Sequence, residues 1–380
     1  MNDIPYDNSN SSNPYLINTN AKEQIMGPEG VPVSAEYIWS KQGKDREDLV
    51  EWVFQYYRRK GFPIPVLTPI AMNKSLLKIE KSPLDKLLNA EGFLKNSNSS
   101  GLDIIKHFCG SKFYQAKSLK GRSPYSVFSD DELFRKVLKN RMGWNVSFED
   151  GTERPYMFGI TDKMILQGIR SSGLGSAISQ FKPVVSKFLY DKYMPVYGNV
   201  FDYSCGWGAR LLGALSCNKD ISYYGTDPLT YHELGEMTKH FNANATIYGY
   251  GSEDAALYNC LPEMDFIFSS PSYFNLEVYS EDHSQCYNKF SDYEQWMNEY
   301  WFKTVENCVS ILKKNGMFGV CVVESVNGFS LAKDMLDICR SFNMELVDTY
   351  PLYTSKSHLN NKVKSHVKMK NSDVVYILKS

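Results

Sequence analysis

The residues able to do chemistry gather at two points where an apolar run meets a turn. Met264 to Phe268 is mostly apolar and leads into Ser269-Ser270-Pro271-Ser272-Tyr273-Phe274. This predicts a buried strand whose carboxyl end opens into a loop, where open α/β sheets bind their ligands. Upstream, Phe201-Asp202-Tyr203-Ser204-Cys205-Gly206-Trp207-Gly208 predicts a second strand that runs into a Gly-x-Gly turn. Together the two strand exits suggest a bound cofactor facing a planar substrate group.

Glycines at 206 and 208 let the backbone turn tightly and approach a ligand, and the helix expected after them offers free N–H groups. Asp202, Ser204, Gly206 and Gly208 are therefore candidate cofactor contacts. Gly225-Thr226-Asp227 closes the next strand. An acid there can accept both hydroxyls of a ribose, as in dinucleotide folds; the plainer reading of Asp227 is an exposed turn residue. Leu211 stands where a third glycine of Gly-x-Gly-x-x-Gly would be, which argues against a nicotinamide cofactor. Gly251-Ser252-Glu253-Asp254 follows the third strand. Its acids, Glu253 and Asp254, either contact an adenine amino group or cap the next helix.

These turns need a sheet to hold them. Candidate strands are 199–203, 222–226, 246–250, 264–269, 317–323, 345–350 and 374–378, with helices in most gaps. One helix is expected from a Ser291-Asp292 cap through Trp296 and Trp301 to Leu312, stopping at Gly316. Alternating strands and helices predict an α/β, largely parallel sheet covered on both faces. The last two strands lack an intervening helix, which predicts an antiparallel edge pair.

Ser270-Pro271-Ser272-Tyr273 after a buried strand resembles the Asp/Asn/Ser-Pro-Pro-Tyr signature of the DNA amino-methyltransferases (adenine-N6 and cytosine-N4 types). Asp202 to Gly208 resembles the cofactor motif of that family, and Phe181-Lys182-Pro183 lies where its preceding segment is expected. The resemblance covers roughly residues 175–380. It implies a class I, Rossmann-like methyltransferase domain that uses S-adenosylmethionine, with DNA as substrate and RNA as the alternative. It further implies that Ser270 and the Pro271 carbonyl accept the hydrogens of the target amino group, while Tyr273 stacks on a flipped base. Neither a metal nor a protein nucleophile is required. Ser272 departs from the expected proline, whose fixed φ would stiffen the turn; a catalytically silent nucleic-acid-binding protein is the reading that departure favours. Phe274 to Tyr279 could close over a flipped base, with core packing the plainer role for Phe274 and Leu276.

The first half of the chain carries weaker signals. Residues 1–20 are rich in Asn and Ser, predicting a disordered arm, and residues 21–165 predict a mainly helical domain suited to target recognition. The methyltransferase domain is expected over 166–380. Helices are expected over 44–60, most of 82–108, 130–142 capped by Ser129, and 161–195. Residues 1–195 carry 27 Lys and Arg against 21 Asp and Glu, while the rest carries 15 against 22. A basic front and an acidic back suit a nucleic-acid-facing region joined to a catalytic one. Between Lys112 and Arg141, eight basic residues interleave with aromatic ones, a pattern that either follows a phosphate backbone or forms a solvated face. Lys356, Lys362, Lys364 and Lys368 lie in a loop without acids and are candidate phosphate contacts.

Composition narrows the class. With 43% hydrophobic and 22% charged residues the chain is globular. No apolar run is long enough to span a membrane, and the start lacks the basic-then-apolar pattern of a signal peptide. Eight scattered cysteines without a Cys-x-x-Cys pair suggest reduced thiols in a cytoplasmic protein and no zinc site.

Overall fold

Each of the seven runs expected as strands forms one, and all join a single eight-stranded sheet in the computed structural model. The structure describes residues 24–119, 121–143, 145–147, 153–155, 159–175, 178–274, 277–353 and 373–380. The sheet strands are β1 (Leu94–Lys95), β2 (Tyr197–Asp202), β3 (Asp220–Thr226), β4 (Ala245–Tyr248), β5 (Met264–Ser269), β6 (Leu312–Val323), β7 (Glu345–Tyr353) and β8 (Asp373–Lys379). Their order is β1-β7-β8-β6-β5-β2-β3-β4. All neighbours run parallel except β8, which is antiparallel to both β6 and β7. The antiparallel pairing expected of the last two strands is present, with β8 slotted between β6 and β7. This is a Rossmann-like, doubly wound sheet with one antiparallel strand inserted beside its end.

From β2 the chain proceeds outward to β3 and β4; from β5 it proceeds the other way to β6. The order therefore reverses between β2 and β5, and a crevice opens beyond their carboxyl ends. Side chains alternate across the sheet, as strand geometry requires. Val200, Phe266 and Phe268 pack on one face with Ile105, Leu189 and Leu212. Phe201 and Ile267 pack on the other with Trp296, Trp301 and Met335. Both faces are apolar, so the two strands flanking the crevice are fixed from above and below.

The chain divides into two compact units: the described residues of Met1–Pro65 with Tyr114–Ile178, and Val66–Phe113 with Ser179–Ser380. The first is mainly helical. Its helices Gly43–Lys60, Asp131–Met142 and Asp162–Ser171 enclose Val53, Phe54, Tyr57, Phe134, Val137 and Ile165. Arg135 binds Glu51 at 2.8 Å, and Arg122 lies 3.7 Å from Asp130, so part of the basic run is spent on internal ion pairs. In the second unit Lys112 is likewise held by Glu233 and by the Leu229 carbonyl.

Several helix boundaries differ from expectation. Residues 82–108 are not mostly helical: one helix, Pro69–Glu80, stops before them and the next starts at Leu102. Pro83 cannot continue a helix, and Asn89, accepting from Phe93 N at 2.7 Å, folds the chain back toward β1. Asp130 rather than Ser129 caps Asp131–Met142, accepting from Leu133 N, because Ser129 ends a separate helix, Pro124–Ser129. The span 161–195 breaks into Asp162–Ser171 and Pro183–Tyr193. The Trp-rich helix is capped by Asp292, adopts π geometry over Trp296–Phe302 and ends at Ile311, before Gly316.

Candidate functional site

At the strand reversal lies a cavity of about 1290 Å³ counting its open mouth, lined by both strand exits. Ser204, Gly206, Trp207 and Arg210 come from the exit of β2, Asp227 to Thr230 from that of β3, and Ser270 to Tyr273 from that of β5. Asn96 and Ile105 add a wall from the 66–113 segment, and Asp373 adds the first residue of β8.

Asp202 does not line this cavity. It is fully buried and its carboxylate is saturated: Arg210 Nε donates at 2.8 Å, Tyr223 Oη at 2.6 Å, Ser269 Oγ at 2.6 Å and Ser204 N at 3.3 Å. The residue read as a cofactor contact is instead the anchor that ties the β2 exit to β3 and β5. Burial is the largest single influence and penalises the Arg210 cation, but the charge and hydrogen bond of Asp202, with Tyr223 and Tyr190, together outweigh it and raise its pKa. Arg210 also donates to the Ser204 carbonyl. It therefore sets the path of the backbone entering the glycine bend.

The bend is held from β3 as well. Gly206 N donates to Asp227 Oδ2 at 2.9 Å, and Thr230 Oγ1 donates to the Gly206 carbonyl at 2.5 Å. Gly206 and Gly208 both have positive φ, 53° and 86°. A Cβ on Gly208 would also meet Leu234 Cδ2 at 2.6 Å, whereas one on Gly206 would meet nothing closer than 4.0 Å. Gly206→Ala is expected to cost about 1 kcal/mol through its backbone alone. Gly208→Ala adds the clash and is expected to lower the urea midpoint further; equal midpoints would contradict this packing.

Asp227 Oδ1 accepts from Leu229 N and Thr230 N, each at 2.9 Å. With the bond from Gly206 this occupies three of about four acceptor positions on a carboxylate. Burial raises the Asp227 pKa, opposed by the N–H groups of Thr230, Gly206 and Leu229. It is not an exposed turn residue. Glu253 lines the cavity and pairs with Lys289, while Asp254 lies outside the lining and caps Ala255–Tyr258 by accepting from Ala256 N at 2.9 Å. Of that pair of acids the site therefore holds Glu253. The chain fits a nucleoside-bearing cofactor: a glycine cradle, a buried carboxylate with acceptor capacity left, and an acid after β4.

On the opposite wall the β5 exit turns through Ser270, Pro271, Ser272 and Tyr273, and Phe274 N donates to the Ser272 carbonyl at 3.0 Å. Phe274 sits at φ 44° and is buried against Tyr293 and Trp296, which gives it the core-packing role. Tyr273 is tied back by its hydroxyl, 3.0 Å from Ser270 Oγ, 3.1 Å from the Cys321 carbonyl and 3.2 Å from Asp373 Oδ1. Tyr279 and Trp207 meet edge to face at 5.9 Å and bring two further aromatic rings to the cavity. Lys356, Lys362, Lys364 and Lys368 lie outside the described residues, as do residues 1–20, Asn275 and Leu276.

No protein-family profile and no curated protein matches the sequence. Solved structures do match. One is TrmN from Thermus thermophilus: 13% identity, TM-score 0.37, covering 52% of this chain and 48% of that one. A putative rRNA methylase from Clostridium thermocellum is 12% identical, TM-score 0.37, covering 53% and 99%. Fibrillarin from Aeropyrum pernix, solved with natively bound S-adenosyl-L-methionine, is 11% identical, TM-score 0.34, covering 52% and 74%. The chain thus spans about half the length of TrmN.

Sequence reasoning missed Arg210, Thr230 and Asp373. Arg210, a cation in the first turn after Gly208 and eight residues from Asp202, left a readable signal: a buried acid needs a partner. Asp373 left none, because only the pairing of β8 with β6 brings it to the cavity. Among the described residues no group of three or more His, Cys, Asp or Glu could hold a metal, and no helix is long and apolar enough to cross a membrane.

Proposed function

We propose that the chain is an S-adenosylmethionine-dependent methyltransferase acting on an exocyclic amino nitrogen of adenine or cytosine in DNA. One observation carries this reading: Gly206 and Trp207 of the glycine bend, Asp227 and the Ser270–Tyr273 turn line a single cavity at the strand reversal. The cofactor, when bound, supplies an activated methyl carbon on a sulfonium.

The chain's own residues bind and orient. The remaining acceptor capacity of Asp227 suits a ribose hydroxyl, and Glu253 suits an adenine amino group. An exocyclic amino nitrogen is a poor nucleophile because its lone pair is delocalised into the ring. Acceptors aimed at its hydrogens favour a pyramidal nitrogen and stabilise the charge that develops. Ser270 Oγ and the Pro271 carbonyl are the acceptors at hand. Trp207 and Tyr279 offer faces for a flat ring, a role Tyr273 fills less freely because its hydroxyl is fixed to the wall. With Ser272 in place of proline, the Phe274 N–H bond to the Ser272 carbonyl still closes the turn.

The test is mass spectrometry of nucleosides from duplex DNA and from structured RNA, each incubated with the protein and cofactor. Methylated adenine or cytosine in the DNA arm, absent with Ser270→Ala, is the expected result. Product only in the RNA arm would move the substrate to RNA. No product in either arm, with no calorimetric binding of S-adenosylmethionine, would leave a silent binding protein.

A further inference from the structure

We propose that Asp373 is the terminal acceptor of the proton released when the target nitrogen is methylated, reached through the hydroxyls of Ser270 and Tyr273. This rests on the methyl-transfer reading above and adds to it the fate of the proton.

Ser270, Tyr273 and Asp373 all line the cavity. Their oxygens form a chain, Ser270 Oγ to Tyr273 Oη at 3.0 Å and Tyr273 Oη to Asp373 Oδ1 at 3.2 Å. A phenol has one proton to donate, and Tyr273 has two outward acceptors, Asp373 and the Cys321 carbonyl at 3.1 Å. An ionised carboxylate makes the stronger bond. With Tyr273 donating to Asp373, its oxygen accepts from Ser270, and Ser270 is left as an acceptor toward the cavity. The carboxylate thus fixes the direction of the whole chain. That direction is the one an incoming N–H requires.

Asp373 is free to serve. Among the described residues it has no cationic partner, and Tyr273 supplies its side-chain hydrogen bond. The titratable groups facing it are Tyr273 from the turn and Cys321 from β6, whose thiol it helps to push up. Arg210, also on the cavity wall, is committed to Asp202. Burial raises the Asp373 pKa, and the Tyr273 bond partly offsets this, so it is a stronger base than a surface carboxylate.

The step balances. The nitrogen–carbon bond forms as the carbon–sulfur bond breaks, with that electron pair staying on sulfur. The surplus proton on nitrogen passes to Ser270 Oγ, the Ser270 proton to Tyr273 and the Tyr273 proton to Asp373. Asp373 then yields it to water after product release.

The experiment compares wild type, Asp373→Asn, Asp373→Glu and Tyr273→Phe at saturating cofactor and DNA. Below its pKa Asp373 is protonated and cannot accept, so wild-type kcat should fall on the acid side. Asp373→Asn should lower kcat about 10²-fold and flatten that acid limb. Tyr273→Phe should lower kcat comparably, and Asp373→Glu should restore part of the rate with a displaced limb. Calorimetric Kd for S-adenosylhomocysteine should stay within about two-fold throughout, since general acid–base loss need not touch cofactor binding. Unchanged kcat and limb in Asp373→Asn would overturn the proposal, as would a rate loss matched by equal losses in Kd and melting temperature. A wild-type protein that binds S-adenosylhomocysteine but methylates neither DNA nor RNA would overturn the underlying reading instead.

Discussion

Asp202→Ala is expected to destabilise the protein by about 3–5 kcal/mol, the cost of leaving a buried charge without its partner. Arg210 is buried, and the substitution removes its carboxylate along with acceptors for Tyr223 and Ser269. Against a typical stability of about 5–15 kcal/mol, the loss takes a large share of the total. Replacing both partners should cost less than removing one: Asp202→Leu with Arg210→Met leaves no orphaned charge. Urea denaturation of the two single variants and the double variant measures this. A double variant that loses as much as the sum of the singles would refute the view that Arg210 and Asp202 exist for one another.

Asp227→Ala is expected to weaken S-adenosylmethionine binding about 10- to 150-fold. A hydrogen bond to a charged group contributes about 1.5–3 kcal/mol, and every 1.4 kcal/mol is a factor of ten in affinity. The effect has two sources that can be separated. The carboxylate offers acceptor capacity to the ligand, and it also holds the N–H groups of Gly206, Leu229 and Thr230. Asp227→Asn keeps one of its two oxygens, so it should retain more of the loop's order than of the affinity. Isothermal calorimetry reads the first and melting temperature the second. A Kd within two-fold of wild type in Asp227→Ala would remove this residue from the ligand's path.

The sheet was legible because its central strands are buried on both faces, and burial of that kind writes an unbroken apolar run such as Met264 to Phe268. Their exits were legible because tight turns need glycine or proline. Asp202 was read as a ligand contact because a strand-end acid before Gly-x-Gly looks the same whether it faces a cavity or a buried arginine. Asp254 was ambiguous for a related reason: a cap and a ligand contact draw on the same side-chain oxygen, and position alone separates them. Asp373 lies 100 residues from Tyr273, and no local pattern reports a neighbour set by strand insertion. The span 82–108 misled because its apolar residues serve the face of the sheet that Ile104, Ile105 and Cys109 cover, around a proline and a hairpin-like return.

The segment Val66–Phe113 belongs with the sheet although residues on both sides of it belong to the helical unit. The backbone therefore passes between the two units three times, at 65/66, 113/114 and 178/179. A protease nicking the chain once cannot release either unit, because each fragment still carries a piece packed into the other's core. A fragment beginning near residue 166 would leave behind Ile104, Ile105 and Cys109, which cover one face of the sheet, and Asn96, which walls the cavity. Such a fragment would expose the apolar face of the sheet, whereas one that begins at Val66 keeps that face covered and instead strips Val53, Phe54 and Tyr57 from the core of the helical unit.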